Sequence, residues 1–465
     1  MKSGSGDALL AAWSEVLRRY ADVPAIFETS GTVGRRFREI EEEAACFENE
    51  LLTGLEGGGV VGIQTGNHVA WPALLLACLR RELVVLPLES TIGERDRAAA
   101  IQICHLCAVI TARKIELHIE RFPDVSAIEW KGPTPSLLKL TSGTTAAPRA
   151  IRFQSEQLLA DCAQICETMG IGEGDVNFGV VPLSHSYGFS NLVTPLLARG
   201  VPMVLSRDRM PRAVLDDLAR TNATVFPGMP VFYQAFAEME DVPSLPHLRL
   251  CISAGAPLSL EMAQKFRAKF GLSVHSFYGS SECGGICYDR KATLEEHGFV
   301  GSPMAGLKLE LVDEDAPSSR IRVRSAAVAD GYFPLPDAGK LGHGCFAPDD
   351  LMTRTSDGFR IVGRVSEVIN VAGKKVNPAD VEAELLTFQG VQAAIVFGRE
   401  STTRNQEVTA CVVAASAIEE TALLEHCRRR LSGWQVPKRI FFVTEIPVNE
   451  RGKVSRRALA ERFSP

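Results

Sequence analysis

Residues 60–86 read VVGIQTGNHVAWPALLLACLRRELVVL, and this stretch decides the fold class. Its apolar side chains predict a strand at Val60–Gln64, a helix at Val69–Leu79 and a second strand at Val84–Leu86. Two apolar strands joined by a helix are typical of a βαβ unit, because a parallel pair needs a long crossover connection. The stretch therefore predicts an α/β domain.

The same alternation continues on both sides of this unit. Apolar residues from Leu158 to Met169 fall on one helix face, with Ser155 as the expected N-cap and Gly170 as the expected end. The other predicted elements are helices at Ala8–Tyr20, Glu39–Leu52 and Leu260–Phe270 and strands at Val201–Leu205, Thr224–Phe226, Leu250–Ser253 and Ser273–Tyr278. Together they predict a large domain of mixed and parallel sheets flanked by helices.

Short β-rich segments separated by Gly, Pro and Asp begin near residue 298 and predict a β subdomain over residues 298–364. After Gly363 and Arg364, a hairpin, a helix (Pro378–Leu386) and further strands predict a compact α+β unit. We therefore expect an N-terminal domain over residues 1–364 and a C-terminal domain over residues 365–465. A chain of 465 residues suffices for this organisation, since domains average roughly 150 residues.

The composition argues against several classes of protein. Fifty basic and 56 acidic residues give a formal net charge of -6, and no basic run offers the surface that nucleic acid requires. The longest apolar run, Val69–Leu79, is shorter than the roughly 20 residues that span a bilayer. The first residues lack the apolar core of a secretory signal. We expect a cytoplasmic protein, monomeric or homodimeric, with no nucleic-acid partner and no membrane span.

A cluster of hydroxyl side chains lies at residues 140–150, LTSGTTAAPRA, in a predicted strand-to-helix loop. Short donors and backbone N–H groups around a glycine can bind phosphate oxygens, and Arg149 adds a fixed positive charge. The segment lacks the Gly-Lys pair of the GxxxxGK[ST] loop. It predicts a phosphate-binding loop, although such a segment alone is also typical of a plain turn.

A second cluster, Ser276–Glu282, reads SFYGSSE. Tyr278 offers a flat surface for stacking, Gly279 permits close approach of a ligand, and Glu282 offers a carboxylate for a magnesium ion that neutralises phosphate charge. A surface loop with a solvated glutamate is an equally good interpretation of this cluster alone.

A third cluster, Pro447–Arg457, reads PVNERGKVSRR. Gly452 precedes Lys453, and a lysine on a glycine-hinged loop can reach a developing negative charge. A basic segment near a terminus is more often simply solvated. No single cluster decides the function.

Together and in this order, the three clusters resemble the adenylate-forming superfamily, which includes acyl-CoA and aryl-CoA synthetases, stand-alone adenylation domains and beetle luciferase. SAGAPL (Ser253–Leu258) is similar to the adenine-contact segment of the family, and VGSPMAG (Val300–Gly306) to its VGxPxPG motif. GRVSEVINVAGKKVNPADVE (Gly363–Glu382) resembles its hinge and hairpin. The resemblance covers nearly the whole chain and implies the fold of this family, with a small mobile C-terminal domain.

The resemblance implies residues for ATP and magnesium. Glu282 would bind Mg²⁺, and Lys453 would bridge the substrate carboxylate and the α-phosphate as charge develops. Glu282, Lys453 and His185 are the implied catalytic residues. The implied nucleotide contacts are Thr141, Ser142, Gly143, Thr144, Thr145 and Arg149 for the β- and γ-phosphates, Gly255, Ala256 and Tyr278 for adenine, Ser281 for the α-phosphate, and Asp350 supported by Arg364 for ribose.

The implied reaction joins a carboxylic acid to a thiol. The acid attacks the α-phosphorus of ATP, pyrophosphate leaves, and a thiol then captures the acyl-adenylate. These steps need residues that stabilise charge and no nucleophile from the protein. Ala146 and Arg149 stand where the family usually has Gly and Lys. A non-catalytic nucleotide-binding homologue therefore remains an alternative.

The implied acid pocket contains His185, which lies where several carboxylate-CoA ligases have a gate residue. Ser186 stands where domains that activate amino acids typically have an Asp, which disfavours α-amino acids. The implied pocket residues are His185, Ser186, Ser253, Ala254 and Gly279. Aryl and acyl substrates both remain open.

Coenzyme A is the expected acceptor, and the implied acceptor hairpin contains Gly373. The alternative is a stand-alone adenylating enzyme that loads a separate phosphopantetheinylated carrier protein. The expected cofactors are thus ATP, Mg²⁺ and coenzyme A or such a carrier protein.

Overall fold

The computed structural model describes residues 6–126, 128–141, 149–294, 296–316, 318–371, 374–401, 405–447 and 454–463. The chain divides into two compact units. The first contains Met1–Glu310, Arg322–Ala347 and Ser356–Phe359, and the second contains Leu311–Ile321, Pro348–Thr355 and Arg360–Pro465.

Strands and helices alternate through the first 303 residues, as the sequence predicts. The strands are β1 Pro24–Glu28, β2 Val33–Arg36, β3 Val60–Gln64, β4 Val84–Pro87, β5 Leu106–Arg113, β6 Glu116–Arg121, β7 Leu137–Thr141, β8 Arg149–Phe153, β9 Asn177–Gly179, β10 Met203–Leu205, β11 Val225–Gly228, β12 Leu250–Ser253, β13 Val274–Ser280, β14 Gly284–Tyr288 and β15 Phe299–Pro303. The helices are α1 Ala8–Tyr20, α2 Phe37–Asn49, α3 Trp71–Arg80, α4 Glu94–Ile103, α5 Ser155–Met169, α6 Ser186–Gly188, α7 Thr194–Arg199, α8 Pro211–Arg220, α9 Pro230–Glu238 and α10 Leu260–Phe270. A π-helical turn, Phe189–Val193, joins α6 to α7.

Residues 308–364 form short strands: β16 Lys308–Leu311, β17 Ser319–Arg324, β18 Gly331–Phe333, β19 Leu341–Gly342, β20 Cys345–Phe346, β21 Asp350–Arg354 and β22 Phe359–Arg364. A single turn of 3₁₀ helix follows at Val365–Glu367. The remaining elements are β23 Ile369–Val371, β24 Lys374–Val376, α11 Pro378–Leu386, β25 Val391–Ser401, β26 Asn405–Ala414, α12 Glu420–Arg430, β27 Arg439–Phe442 and α13 Arg456–Arg462.

Two mixed sheets build the first unit. One has the order β15-β14-β13-β12-β11-β9-β10-β1-β2, with parallel pairing from β13 to β1 and antiparallel pairing at both ends. The other has the order β18-β8-β7-β4-β3-β5-β6, parallel from β7 to β5. The predicted βαβ unit is confirmed, since β3 and β4 flank α3 and pair in parallel. Parallel strands end at one edge of a sheet, where open α/β folds bind ligands.

The predicted surroundings of the hydroxyl-rich loop were wrong. The segment connects two antiparallel strands, β7 and β8, with Thr141 opposite Arg149. The helix begins only at Ser155, after this second strand. The second strand reads RAIRF, and its adjacent apolar residues Ala150 and Ile151 are both buried.

The expected N-cap of α5 was also wrong. Gln154 occupies the N-cap position and Ser155 is the first helical residue. The Ser155 hydroxyl instead donates a hydrogen bond to Asp7 Oδ2 at 2.6 Å. The predicted end is confirmed: Gly170 adopts a left-handed conformation (φ 64°), which glycine adopts without strain.

A buried carboxylate stabilises the first unit next to β9. Asp175 accepts hydrogen bonds from Arg249 Nε at 2.8 Å and Nη2 at 2.6 Å, and further bonds from the Thr224 hydroxyl and the Gly172 N–H. Burial raises the pKa of Asp175, but the hydrogen bonds from these partners, Arg249 first, lower it by more. The pKa of Asp175 therefore lies below its usual value. A carboxylate with a depressed pKa stabilises the folded state above its unfolded pKa.

We expect Asp175→Ala to lower the free energy of unfolding by about 1–3 kcal/mol at neutral pH, because it strands buried donors. The contribution begins to fall below about pH 4, the ordinary pKa of an aspartate, and is lost only as the pH falls through the lower folded pKa, so the deficit of the variant should be smaller at pH 3 than at pH 7. Urea unfolding at pH 7 and pH 3 measures the difference. An equal deficit at both pH values would contradict this account.

The second unit has its own sheet and core. The strand order is β24-β23-β26-β25. Outside this order, β27 also pairs with β26, in parallel. Its core includes Val381 and Leu385 of α11 and Leu423 and Cys427 of α12. In the part of the chain that the structure describes, no helix has both the length and the apolar character needed to cross a membrane. The predicted small α+β domain is confirmed.

Candidate active site

The two described residues at the ends of the predicted phosphate-binding loop contact each other. The Thr141 hydroxyl donates to the Arg149 carbonyl oxygen at 3.1 Å. The Arg149 guanidinium lies over the ring of Tyr332, 4.3 Å from its centre, and such stacking attracts a cation to the face of the ring. Ser142, Gly143, Thr144 and Thr145 lie outside the described residues.

Tyr332 connects this loop to Glu282. It lies on β18, which pairs with β8 so that Tyr332 faces Ile151. Its hydroxyl donates to Glu282 Oε1 at 3.1 Å. Burial, followed by the Glu282 charge, raises the pKa of Tyr332. The phenol therefore stays protonated and keeps its donor at physiological pH.

The Glu282 carboxylate is held at both oxygens. Ser280 donates to Oε2 and accepts a hydrogen bond from the Glu282 N–H at 3.1 Å, while Tyr332 occupies Oε1. The described residues contain no group of three or more His, Cys, Asp or Glu side chains that could hold a metal ion by themselves. A single carboxylate fits Mg²⁺, which usually binds through one or two carboxylates, substrate phosphates and water.

The predicted adenine segment follows the end of a parallel strand. β12 and β13 pair with Ser253 opposite Ser276, so the chain after β12 runs beside the end of β13. Gly255 and Ala256 are exposed there, and Tyr278 is half-buried. Gly255 has a φ of 88°, a left-handed conformation that glycine adopts readily. The sheet thus brings these three predicted contacts to one edge.

The predicted acid-pocket residues lie at the same edge. The His185 Nδ1 accepts the Tyr187 N–H at 3.2 Å and caps α6, so a neutral imidazole carries its proton on Nε2. The Ser186 hydroxyl donates to Ser281 Oγ at 3.0 Å, which joins a predicted pocket residue to the predicted α-phosphate contact.

Ser253 and Gly279 complete this group. Ser253 is 2% exposed, and its hydroxyl lacks a hydrogen-bond partner within the described structure. A buried hydroxyl without a partner costs free energy. Gly279 cannot be replaced without movement, because a Cβ there would lie 2.7 Å from the Gly284 carbonyl oxygen. Ala254 is buried beside Ser253.

The predicted ribose contact lies in the second unit. Asp350 is 7% exposed and accepts a hydrogen bond from Arg364 Nε at 2.8 Å. Arg364 therefore contacts Asp350, as predicted. An ion pair of this kind fixes the orientation of the carboxylate.

Two predicted residues of the second unit, Gly373 and Lys453, lie outside the described residues. The strands on either side of residue 373 form an antiparallel pair, with Ile369 opposite Val376. Arg456, three residues after Lys453, donates to Glu367 Oε2 at 2.5 Å and to Glu382 Oε1 at 2.8 Å. These ion pairs anchor α13 within the second unit.

Tyr332 was not among the predicted site residues. It lies in the segment Asp330–Pro334, DGYFP, which resembles an ordinary turn followed by an edge strand. Only the pairing of β18 with β8 brings it to Arg149 and Glu282. A contact across 50 residues leaves no local signal in the sequence.

Family models match both parts of the chain. The AMP-binding enzyme model matches residues 13–333, and the AMP-binding enzyme C-terminal domain model matches residues 380–453. Feruloyl-CoA synthase from Amycolatopsis sp is 28% identical over 93% of this chain and 95% of its own. The 3,4-dihydroxybenzoate–aryl-carrier protein ligase from Bacillus anthracis is 28% identical over 73% of this chain and 76% of its own.

A solved structure agrees with the fold. ATP-bound MatB from Rhodopseudomonas palustris has a TM-score of 0.85 and 23% identity, with 97% of this chain and 98% of that chain covered. The first family model covers more than half of the 465 residues. The chain is therefore an enzyme of the AMP-binding, adenylate-forming family.

Proposed function

We propose that the enzyme activates a carboxylic acid, aryl or acyl, with ATP and transfers the acyl group to the thiol of coenzyme A. The observation that carries the proposal is the Glu282 carboxylate, which Tyr332 and Ser280 hold at its two oxygens, with Arg149 stacked on Tyr332. A fixed carboxylate next to a fixed cation suits a nucleotide triphosphate with its metal ion.

The first step forms a bond between a carboxylate oxygen of the acid and the α-phosphorus of ATP. The bond from that phosphorus to the bridging oxygen breaks, and pyrophosphate leaves with the electron pair. Arg149 and the hydroxyls of residues 141–145 would stabilise this leaving group. Glu282 would hold Mg²⁺, which neutralises phosphate charge when bound. Lys453 would stabilise the charge on the reacting oxygens.

The second step forms a thioester. The thiol loses its proton, its sulfur attacks the acyl carbon, and AMP leaves with the electron pair of the broken acyl–oxygen bond. We assign Asp350, with Arg364, to the ribose hydroxyls and Gly255, Ala256 and Tyr278 to the adenine ring. The residues around Gly373 would contact the acceptor.

The carboxylic acid would bind near His185, Ser186, Ser253, Ala254 and Gly279. The unpartnered Ser253 hydroxyl suits an acid with a polar substituent, because that substituent would satisfy a buried group. An α-amino group would find no carboxylate at position 186, which is Ser. The relatives named above act on feruloyl and dihydroxybenzoyl groups, and these are aryl acids with hydroxyl or ether oxygens.

A carrier protein is the second candidate acceptor, because one relative is named as an aryl-carrier protein ligase. Exchange of labelled pyrophosphate into ATP, measured over a panel of aryl and aliphatic acids, tests the first step. Exchange with at least one acid supports the proposal, and none over a broad panel would indicate a nucleotide-binding protein without turnover. Adding coenzyme A or a phosphopantetheinylated carrier protein to the active acid then identifies the acceptor.

We expect Tyr332→Phe to raise the concentration of MgATP needed for half-maximal exchange by about tenfold, on the scale of a hydrogen bond to a charged group. The variant keeps the ring under Arg149 and loses only the donor to Glu282. The matched control is Tyr20→Phe, since Tyr20 packs against Phe37. Equal behaviour of the two variants would remove Tyr332 from the site.

A further inference from the structure

A buried aspartate on α5 contacts the turn that carries Glu282. Asp161 is 5% exposed, and its Oδ1 accepts the Gly285 N–H at 3.0 Å. A Cβ at position 284 would lie 2.0 Å from this same oxygen. Gly284 also has a φ of 71°, which disfavours other residues. The carboxylate therefore fills a space that only a glycine at position 284 leaves open.

The same carboxylate contacts the helical segment after His185. The Ser190 hydroxyl, in the π-helical turn, interacts with the Asp161 carboxylate and lowers its pKa. This turn follows Ser186, whose hydroxyl reaches Ser281. One side chain thus joins the turn of Glu282 to the segment that bears the predicted acid-pocket residues. Turns of π-helix occur frequently at functional sites.

A buried lysine supplies the opposite charge. Lys139 is 6% exposed and lies on β7, two residues before Thr141. Its ammonium is 4.5 Å from the ring centre of Phe153 and 5.3 Å from that of Phe189. Within the described ranges it takes part in no hydrogen bond or ion pair. Burial lowers the pKa of Lys139, and the Asp161 charge is the strongest of those that oppose this effect.

The Asp161 carboxylate is buried, and its Oδ1 is fixed by the Gly285 N–H. Burial raises the pKa of Asp161, and the Lys139 charge is the strongest of the effects that lower it. A group held in this way is suited to fixing the positions of neighbouring segments.

We propose that Asp161 is a positioning residue, which fixes the segment after His185 and the Glu282 turn in one arrangement. The inference rests on the proposed role of Glu282 in holding Mg²⁺ with ATP. Loss of the Asp161 carboxylate frees the Gly285 N–H and lets the turn move. Because ligand groups need accurate placement, a small displacement of Glu282 weakens the complex of metal and nucleotide.

The test measures metal binding without turnover. Mn²⁺ replaces Mg²⁺, and α,β-methylene-ATP replaces ATP because it cannot release pyrophosphate. The loss of the free Mn²⁺ signal in electron paramagnetic resonance gives the dissociation constant of the complex. We expect Asp161→Ala to raise this constant by at least about tenfold, as for other residues that support metal ligands. Asp161→Asn should stay within about threefold of the wild type, because its amide oxygen still accepts the Gly285 N–H.

Two further variants, Gly284→Ala and Asp175→Ala, are measured in the same Mn²⁺-binding experiment. Gly284→Ala leaves the carboxylate in the chain but pushes it aside, so it should behave like Asp161→Ala. Asp175→Ala removes a carboxylate that is buried to a similar degree beside Arg249. It should lower the melting temperature and leave the Mn²⁺ complex unchanged. Thermal melting of every variant separates loss of stability from loss of position.

The outcomes distinguish the two proposals. Unchanged Mn²⁺ affinity in Asp161→Ala, or equal losses in the Ala and Asn variants, would overturn the positioning role. A wild-type protein that binds no Mn²⁺ with the analogue and catalyses no exchange with any acid would instead contradict the proposed function.

Discussion

We expect Lys453→Ala to lower pyrophosphate exchange by about 10²–10³-fold, the range seen when one donor to a developing oxyanion is removed. The ammonium is proposed to stabilise charge on the oxygens that react at the α-phosphorus. A methyl group supplies neither charge nor donor. The variant should still transfer the acyl group when acyl-adenylate is supplied, because that step begins after the charge on the phosphate has formed.

Lys438→Ala is the matched control for this prediction. Lys438 is an exposed lysine of the second unit, next to β27. Its removal should change neither exchange nor acyl transfer. If Lys453→Ala reduced both half-reactions equally, the lysine would not be specific to adenylate formation, and the proposed division of labour between the steps would be wrong.

Asp350→Ala should weaken the use of ATP by about 1.5–3 kcal/mol, the scale of hydrogen bonds to a charged acceptor, or roughly 10–150-fold in the apparent KM for ATP. Asp350 is buried and held by Arg364, so its carboxylate needs no reordering to accept two ribose hydroxyls. Arg364 is 55% exposed and can be solvated when its partner is lost. Thermal melting of the variant separates the effect on ATP use from any loss of stability.

Asp357→Ala provides the comparison for Asp350. Asp357 forms an ion pair with Lys291 on an exposed surface. The Asp357→Ala variant should leave the apparent KM for ATP unchanged. An unchanged KM in Asp350→Ala, measured by pyrophosphate exchange over a range of ATP concentrations, would remove Asp350 from the nucleotide site.

The helices that were predicted accurately have capping residues that mark their ends. Leu260–Phe270 and Pro378–Leu386 match the structure at both ends. Ser259 and Asn377 cap these helices through their side chains, and Gly271 ends the first in a left-handed conformation. Caps are local, so they can be identified from neighbouring residues.

The secondary-structure predictions failed where a distant residue supplies the hydrogen-bond partner or where the local sequence pattern is weak. Ser155 was expected to cap α5, but its hydroxyl bonds Asp7, 148 residues away. Arg149–Phe153 was missed as a strand because it has only five residues, two of which are arginines. Short strands with few apolar residues give weak local signals.

The candidate site divides in the same way. Motif residues such as Glu282 and Asp350 could be predicted because their order along the chain resembles a family. Tyr332 and Asp161 could not, since each acts through contacts with segments 50 or more residues away. Lys139 did leave a signal, a lone charge in the apolar strand LLKLT. The domain boundary at residue 364 stays a prediction.

The stacking of Arg149 on Tyr332 has a consequence for turnover. A guanidinium that rests on an aromatic face is preorganised, so less entropy is lost when it meets an anion. A lysine ammonium at this position would sample more conformations before binding. The same preorganisation also slows the departure of an anion that the group contacts. With Arg149 on the β- and γ-phosphates as proposed, this arginine would slow the release of pyrophosphate rather than its formation.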